Sequence, residues 1–162
     1  MGITFRPLSE SDEADYLYIL NYYIRTGFNA YPDTEFGPEQ FRMLYNEFRN
    51  YPNICCEDEG HVIGYAHLRA FRKFPCFDRT AEITYFIAPE YTGEGLGTRM
   101  LARIKEQAKA AGIKVIMANI SSLNEGSLKF HQKHGFVKCG EFKNVVEKSG
   151  TVFNMVWVQL EL

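Results

Sequence analysis

The segment that decides the fold is Tyr91–Leu101, YTGEGLGTRML, in which three glycines at alternate positions lead into an amphipathic run. The residues before it, up to Pro89, have the composition of a β-strand, and the apolar residues after Gly95 recur at helical spacing. A strand, a glycine-rich turn and a helix N-terminus direct unpaired backbone N–H groups and the helix dipole toward one point. The segment therefore predicts a binding turn for a negatively charged group, and a pyrophosphate is the expected ligand.

The spacing of the glycines excludes two common phosphate-binding loops. A dinucleotide fingerprint that began at Gly93 would need a glycine at the position of Thr98. A P-loop would need Gly-Lys-Ser or Gly-Lys-Thr, which the turn lacks. The simplest alternative is a tight turn that only starts a helix. The choice between this turn and an anion-binding turn depends on the rest of the chain.

The chain as a whole has the size and composition of one globular domain, residues 1–162. Its 162 residues carry a formal charge of −2, which argues against nucleic acid as a partner. No stretch approaches the roughly 20 apolar residues that span a bilayer, and the N-terminus has no apolar signal segment, so we expect no membrane partner and a cytoplasmic location. The cysteines and histidines lack metal-ligand spacing, so we expect no bound metal. We expect all four cysteines to be reduced thiols, with the adjacent Cys55 and Cys56 on opposite faces of a strand.

Turn residues and hydrophobic periodicity divide the chain into short strands and about four helices. Helices are predicted at about 12–26, 38–50, 95–112 and 124–133. Strands are predicted at 3–7, 54–57, 62–69, 80–88, 115–120, after 136, and at 151–162. Because strands outnumber helices and hairpins join several of them, we expect an α+β fold with a mixed sheet flanked by helices.

The glycine turn resembles the acyl-CoA-binding motif of the GNAT family of N-acetyltransferases, Arg/Gln-x-x-Gly-x-Gly/Ala followed by an apolar helix. Gly95 and Gly97 match the two glycines, whereas Thr92 replaces the usual Arg or Gln and removes one side-chain contribution. Farther along, NEGSLKFHQKHGF at 124–136 resembles the second motif of the family, Asn-x-x-Ala/Ser-x-x-x-Tyr-x-Lys-x-Gly-Phe. His131 replaces its tyrosine, as in the phosphinothricin acetyltransferase subfamily, and flanking segments extend that resemblance over almost the whole chain.

The resemblance implies the GNAT acyl-CoA N-acyltransferase fold, with a mostly antiparallel sheet, and an enzyme that uses acetyl-CoA as co-substrate. It would transfer acetyl to the primary amine of a small molecule by direct attack, and it would form a homodimer. The implied acceptor is an amino acid or an analogue of the phosphinothricin, methionine sulfoximine or methionine sulfone type. The residues expected to contact acetyl-CoA come from the fourth strand, the glycine turn and the second motif: Tyr85, Phe86, Ile87, Thr92, Gly93, Glu94, Gly95, Leu96, Gly97, Thr98, Asn124 and Ser127.

The resemblance also implies two catalytic side chains. Glu82 corresponds to the general base of the subfamily and would act through water. His131 would give a proton to the departing thiolate, because imidazole titrates near neutrality and a thiol at about 8.5. A backbone amide within 85–87 would meet the oxyanion, where the fourth strand of the family splays from the fifth. Without the resemblance, Glu82 could be a solvent-facing strand residue and His131, like His134, a histidine on a helix surface.

Acceptor-binding residues are expected after the first helix and in FRKFPCFDR at 71–79: Phe28, Tyr31, Arg72, Phe74 and Phe77. Arg72 could bind a carboxylate or phosphinate bidentately, or it could be a solvated loop cation. Phe77 replaces a tyrosine that is frequent in the subfamily, which leaves phosphinothricin itself open as an acceptor. Two other functions remain open: acetylation of a protein N-terminus or an aminoglycoside, and a non-catalytic acyl-CoA-binding module. The presence of both Glu82 and His131 argues against the module.

Overall fold

The computed structural model describes residues 2–162. Its helices are α1 (Glu13–Arg25), α2 (Pro38–Phe48), α3 (Leu96–Ala110) and α4 (Glu125–Lys133). Its strands are β1 (Thr4–Arg6), β2 (Asn53–Asp58), β3 (His61–Ala70), β4 (Thr80–Ile87), β5 (Val115–Ser121), β6 (Val137–Lys148) and β7 (Thr151–Glu161). Each predicted helix and strand is present, with ends close to the predicted ones.

A seven-stranded mixed sheet organises the fold, with the strand order β1-β2-β3-β4-β5-β7-β6. β4 and β5 are parallel, with α3 in the crossover between them, and the other neighbouring pairs are antiparallel. Glu59 and Gly60 turn the β2–β3 hairpin, and Ser149 and Gly150 turn the β6–β7 hairpin, all with positive φ. The predicted mixed, mostly antiparallel sheet with flanking helices is confirmed.

Alternating strand residues build one apolar core on each face of the sheet. On one face, which we call the α1/α2 face, Tyr16 and Phe41 pack in a buried cluster. On the other, the α3 face, Met100 and other residues of α3 pack in a second cluster. Cys55 belongs to the first cluster and Cys56 to the second, so the adjacent cysteines point to opposite faces as predicted.

The sheet opens between β4 and β5. Their parallel register covers only Thr80–Glu82 against Val115–Met117. Beyond it, β4 continues to Ile87 beside β3, while β5 continues to Ser121 beside β7. Backbone groups of β4 that face the opening therefore have no β5 partner within the described chain, and they are free to bind another molecule. This opening lies where the family resemblance places the reacting thioester.

Candidate active site

A cavity of about 230 Å³ lies at the opening between β4 and β5. Its walls come from α1, from the segment that follows it, from β3, β4 and β5, and from α4. Both side chains predicted to be catalytic, Glu82 on β4 and His131 on α4, line it. The fold therefore brings together residues of two motifs that are distant in the sequence.

Glu82 points to the α1/α2 face of the sheet, because its neighbours Ala81 and Ile83 belong to the core on the α3 face. It is 7% exposed, and its Oε1 accepts a hydrogen bond from Asn119 Nδ2 at 2.9 Å. The same oxygen lies 3.5 Å from Nη2 of Arg69, the residue directly opposite Glu82 in the β3–β4 register. Because Glu82 is buried and faces two donors, it is not a solvent-facing strand residue.

His131 is buried, at 3% exposed, so it is not a surface histidine. Its Nδ1 lies 2.7 Å from the backbone carbonyl oxygen of Ser127. A carbonyl oxygen only accepts, so Nδ1 carries the ring proton, and Nε2 of the neutral ring carries none. Nε2 faces the hydroxyl of Tyr85, which therefore donates its proton to the ring.

The charge states of this pair follow from burial. Burial lowers the pKa of His131 to about 4, although the hydrogen bond to Ser127 opposes that effect. Burial also raises the pKa of Tyr85 well above its ordinary range. At neutral pH the histidine is neutral, and the proton between the two residues belongs to the Tyr85 hydroxyl. Direct donation by His131, as predicted from the sequence, would need an imidazolium that is rare at neutral pH.

The glycine turn leads into α3, and the backbone conformation requires glycine at two of its three glycine positions. Gly93 and Gly95 have φ of +83° and +78°, and an added Cβ would meet nothing within 4 Å at either position. Backbone conformation, not packing, therefore requires glycine there. Gly97 has an ordinary helical backbone, and a Cβ there would meet the ring of Phe130 at 3.4 Å, an ordinary contact distance. Neither backbone conformation nor packing within the described chain requires glycine at this position.

The remaining residues of the turn contribute in different ways. Thr92 donates its hydroxyl hydrogen to the carbonyl oxygen of Pro89 at 2.9 Å and so closes the short 3₁₀ turn Pro89–Tyr91 that precedes the glycines. Glu94 is exposed, whereas the side chain of Leu96 is buried in the core, which leaves only its backbone for a ligand. The hydroxyl of Thr98 lies 3.0 Å from Nε2 of His134.

The second motif caps α4 and holds the His131 ring. Asn124 Oδ1 accepts a hydrogen bond from the backbone N–H of Ser127 at 3.1 Å. The hydroxyl of Ser127 lies 3.2 Å from Nδ1 of His131, and both Asn124 and Ser127 line the cavity. On β4, Tyr85 and Phe86 line the cavity as well. The carbonyl oxygen of Ile87, at the end of that strand, accepts a hydrogen bond from the Tyr23 hydroxyl at 2.6 Å.

Of the five residues predicted to bind the acceptor, Tyr31 lines the cavity. Its hydroxyl is buried and has no hydrogen-bond partner among residues 2–162. Phe28 instead packs edge-on against Phe153. Phe74 and Phe77 are 66% and 37% exposed and do not line the cavity, so their predicted role as its walls is not met in this conformation.

Arg72 lies outside this cavity, in an exposed loop that contains a short 3₁₀ turn at Pro75–Phe77. Its guanidinium stacks over Phe71 at 4.3 Å. It borders a neighbouring cleft of about 630 Å³, which Arg69 and Glu82 also border. The predicted contact of Arg72 with an acceptor carboxylate stays a prediction, and it would have to be made from this cleft.

The polar residues of the cavity that were not predicted from the sequence include Arg69, His67 and Asn119. His67 is buried, with Nε2 3.0 Å from the Tyr16 hydroxyl and Nδ1 without a partner in the described chain. Burial lowers the pKa of His67 to about 3, and the charge of Arg69 adds to the effect. A polar residue within the apolar strand β5 was the available signal for Asn119. The sequence held no signal for Arg69, because its position opposite Glu82 depends on the β3–β4 register.

The chain matches the model of the acetyltransferase (GNAT) family over residues 14–136. It belongs to the GNAT family. One relative of this GNAT protein is the L-amino acid N-acyltransferase MnaT of Escherichia coli, 36% identical over 112 residues, or 69% of this chain and 65% of MnaT. A second is an L-methionine sulfoximine/L-methionine sulfone acetyltransferase of Salmonella typhimurium, 33% identical over 75% of this chain and 72% of that protein.

The fold is also close to that of a solved phosphinothricin acetyltransferase. That GNAT superfamily protein, from Sinorhizobium meliloti, was crystallised in complex with AcCoA. The two structures superpose with a TM-score of 0.93 at 25% sequence identity, over 100% of this chain and 89% of the other. The recognised family and subfamily resemblance is therefore confirmed at the level of both sequence and fold.

Two further observations bear on partners. No helix within residues 2–162 is long and apolar enough to cross a membrane. The same part of the chain contains no group of three or more histidine, cysteine, aspartate or glutamate side chains that could hold a metal ion.

Proposed function

We propose that this GNAT protein transfers the acetyl group of acetyl-CoA to the α-amine of an amino acid or amino-acid analogue, with Glu82 as the general base. The observation that carries the proposal is a buried carboxylate, Glu82, paired with Arg69 in a cavity at the opening of the sheet. The names of the two relatives, an amino-acid acyltransferase and a methionine sulfoximine or sulfone acetyltransferase, support the same acceptor class.

The charges of the cavity suit a zwitterion. Among its lining residues in the described chain, Arg69 is the cation and Glu82 the anion, because burial keeps His67 and His131 neutral. The acceptor ammonium would lie at Glu82 and its carboxylate at Arg69, or at Arg72 in the neighbouring cleft. An amino acid would then bind without leaving a net charge in the cavity.

The two substrates would enter from opposite faces of the sheet. Glu82 and Arg69 lie on the α1/α2 face, so the acceptor binds there. Tyr85 packs against the core of the α3 face, where the glycine turn and α4 also lie, so acetyl-CoA binds on that side. The opening between β4 and β5 would let the amine reach the thioester.

The chemistry needs few groups. Glu82 takes one proton from the ammonium, and the neutral amine attacks the thioester carbonyl carbon, whose oxygen is met by an unpaired amide of β4. Before the C–S bond breaks, the Tyr85 hydroxyl donates to Nε2 of His131. As the bond breaks, it would turn from Nε2 and donate its hydrogen bond to the thiolate instead. The amine loses two protons in all and the thiolate takes up one, so one proton is released.

A Glu82→Gln variant tests the proposal. Release of free thiol is measured against α-amino acids, methionine sulfone, an aminoglycoside and a peptide with a free N-terminus. We expect kcat to fall roughly 10²- to 10⁴-fold, with acetyl-CoA affinity retained, and the defect to shrink at high pH, where the amine is already deprotonated. Glu57→Gln is the matched control, because Glu57 pairs with Arg6 at 2.7 Å and lines neither the cavity nor the neighbouring cleft.

The alternatives give different results. Preference for the aminoglycoside or the peptide would contradict the amino-acid acceptor. Binding of acetyl-CoA without acetylation of any amine would indicate a non-catalytic binding module. An equal loss in Glu82→Gln from pH 6 to pH 10 would contradict the base role. A single domain over residues 1–162, a homodimer and a cytoplasmic location stay predictions.

A further inference from the structure

Asn119 lies beside the base at the wall of the cavity. Its Nδ2 donates to Glu82 Oε1 at 2.9 Å, and its Oδ1 is buried with no hydrogen-bond partner among residues 2–162. The orientation of this amide follows from chemistry, because an ionised carboxylate only accepts and the nitrogen must face Glu82. The carbonyl oxygen is therefore the end of Asn119 left for another molecule.

The position of Asn119 points that oxygen toward the acceptor. On β5, the alternate residues Ile116, Ala118 and Ile120 pack in the core of the α3 face, so Asn119 faces the α1/α2 side with Glu82. It lies two residues beyond Met117, the last β5 residue that pairs with β4. Asn119 is thus at the opening itself, on the side from which the amine would arrive.

We propose that Asn119 positions the acceptor amine by accepting one of its N–H hydrogens at Oδ1, while its Nδ2 fixes the Glu82 carboxylate. This inference rests on the proposed function. A neutral primary amine has two N–H donors and one lone pair. With one N–H at Oδ1 and the other toward Glu82, directly or through water, the lone pair is left to face the thioester carbon. An N-methyl amine has only one N–H and cannot satisfy both acceptors.

The consequence is selectivity for primary over secondary amines. A buried amide oxygen that stays unpaired with the wrong substrate discriminates far more strongly than an apolar contact does. The measurement is kcat/KM for the best α-amino acid acceptor of the panel and for its N-methyl derivative. KM for acetyl-CoA is measured in parallel.

In the Asn119→Leu variant, which is similar in size, both hydrogen bonds are lost. We expect kcat/KM for the primary amine to fall roughly 10- to 100-fold, chiefly through the acceptor KM, with KM for acetyl-CoA unchanged within about threefold. The preference for the primary amine should largely disappear. Asn154→Leu is the matched control, because Asn154 donates to Glu141 at 2.6 Å outside the cavity. Its loss should leave kcat/KM for the primary amine and the preference over the N-methyl amine unchanged.

A second variant, Asn119→Asp, keeps an acceptor oxygen but places a second carboxylate beside Glu82. Like charges disfavour ionisation, so the acidic limb of the kcat/KM profile should move to higher pH by about one unit or more. The shift of this limb tests only that residue 119 lies beside the base. The amine selectivity tests the positioning role, because a residue that only packs would leave it unchanged. Far-UV circular dichroism and the urea midpoint establish that each variant is folded.

The outcomes separate the two proposals. If the wild type acetylates α-amino acids and Asn119→Leu keeps its acceptor KM and selectivity, the role of Asn119 is overturned and the proposed function stands. If the wild type prefers a different class of primary amine, the acceptor class fails, and the role of Asn119 is then judged on that amine by the same ratios. If no amine is acetylated, both fall.

Discussion

The two buried neutral histidines, His67 and His131, make the free energy of unfolding depend on pH in the mildly acidic range. His134, whose pKa is also lowered by burial, adds to the effect. Burial holds the pKa of His67 at about 3 and that of His131 at about 4, below the value of 6.5 for a free histidine. The unfolded chain therefore binds more protons than the folded one at mildly acidic pH. The stability that comes from their neutral state is present above pH 6.5 and is lost as the pH falls toward the folded pKa values.

The size of the loss follows from these values. At pH 5 the unfolded state holds nearly one proton on each ring and the folded state almost none, so each histidine lowers the free energy of unfolding by about 2 kcal/mol. Together they remove about 4 kcal/mol between pH 8 and pH 5, a large share of the stability of an ordinary domain. Burial would raise the pKa of Asp12, but hydrogen bonds from Arg6 and Ser9 lower it below its ordinary value. Asp12 therefore affects the free energy of unfolding only at more acidic pH.

Urea unfolding of the wild type and of His67→Gln and His131→Gln at pH 8 and pH 5 measures this directly. Each variant is expected to reduce the difference between the two pH values by about 2 kcal/mol, whatever its stability at pH 8. His61→Gln is the control, because the side chain of His61 is 77% exposed. A wild type that loses less than about 1 kcal/mol, or variants with an unchanged difference, would refute the neutral buried state.

Two further predictions concern acetyl-CoA. Gly95→Ala places a side chain at φ +78°, a strain of about 1 to 2 kcal/mol that should distort the turn and weaken CoA affinity about fivefold or more by calorimetry. Gly112→Ala, with φ of +82° at the other end of α3, is the control for strain away from the turn, and equal affinity losses in both would count against the turn as the phosphate site. Tyr85→Phe removes the hydroxyl beside His131 and should lower kcat with acetyl-CoA at least about tenfold. The loss should be smaller with an acetyl thioester whose thiol has a low pKa, and equal losses with both donors would indicate a packing role only.

The sequence predicted those parts of the molecule that local chemistry controls. Gly95 and the helix after it were predictable because a positive φ and the start of a helix both depend on neighbouring residues. Opposite faces for Cys55 and Cys56 followed from strand alternation alone. The sheet class followed from counting strands and hairpins.

Contacts between distant elements could not be predicted in this way. Arg69 faces Glu82 only because β3 and β4 pair in one register, and a shift by one residue would turn it to the other face. The 71–79 loop has the composition of a pocket wall, yet Phe74 is exposed and Phe77 packs against Phe71 instead of lining the cavity. Asn119 became a candidate only when its oxygen was found buried without a partner in the described residues.

The exchange at His131 shows why one motif position cannot be interpreted by itself. A tyrosine there, as in the general family pattern, would supply a hydroxyl from α4. Histidine instead brings two ring nitrogens into a buried site, and each needs a partner. Ser127 O satisfies Nδ1, which leaves Nε2 able only to accept, and Tyr85 on β4 provides the hydroxyl that donates to it. A hydroxyl is thus present beside α4 after all, carried by β4, and the histidine orients it. If the pair works as proposed, His131→Tyr alone would place two tyrosine hydroxyls in one site and should lower kcat. The double variant His131→Tyr/Tyr85→Phe has one hydroxyl there and should recover part of that lost kcat.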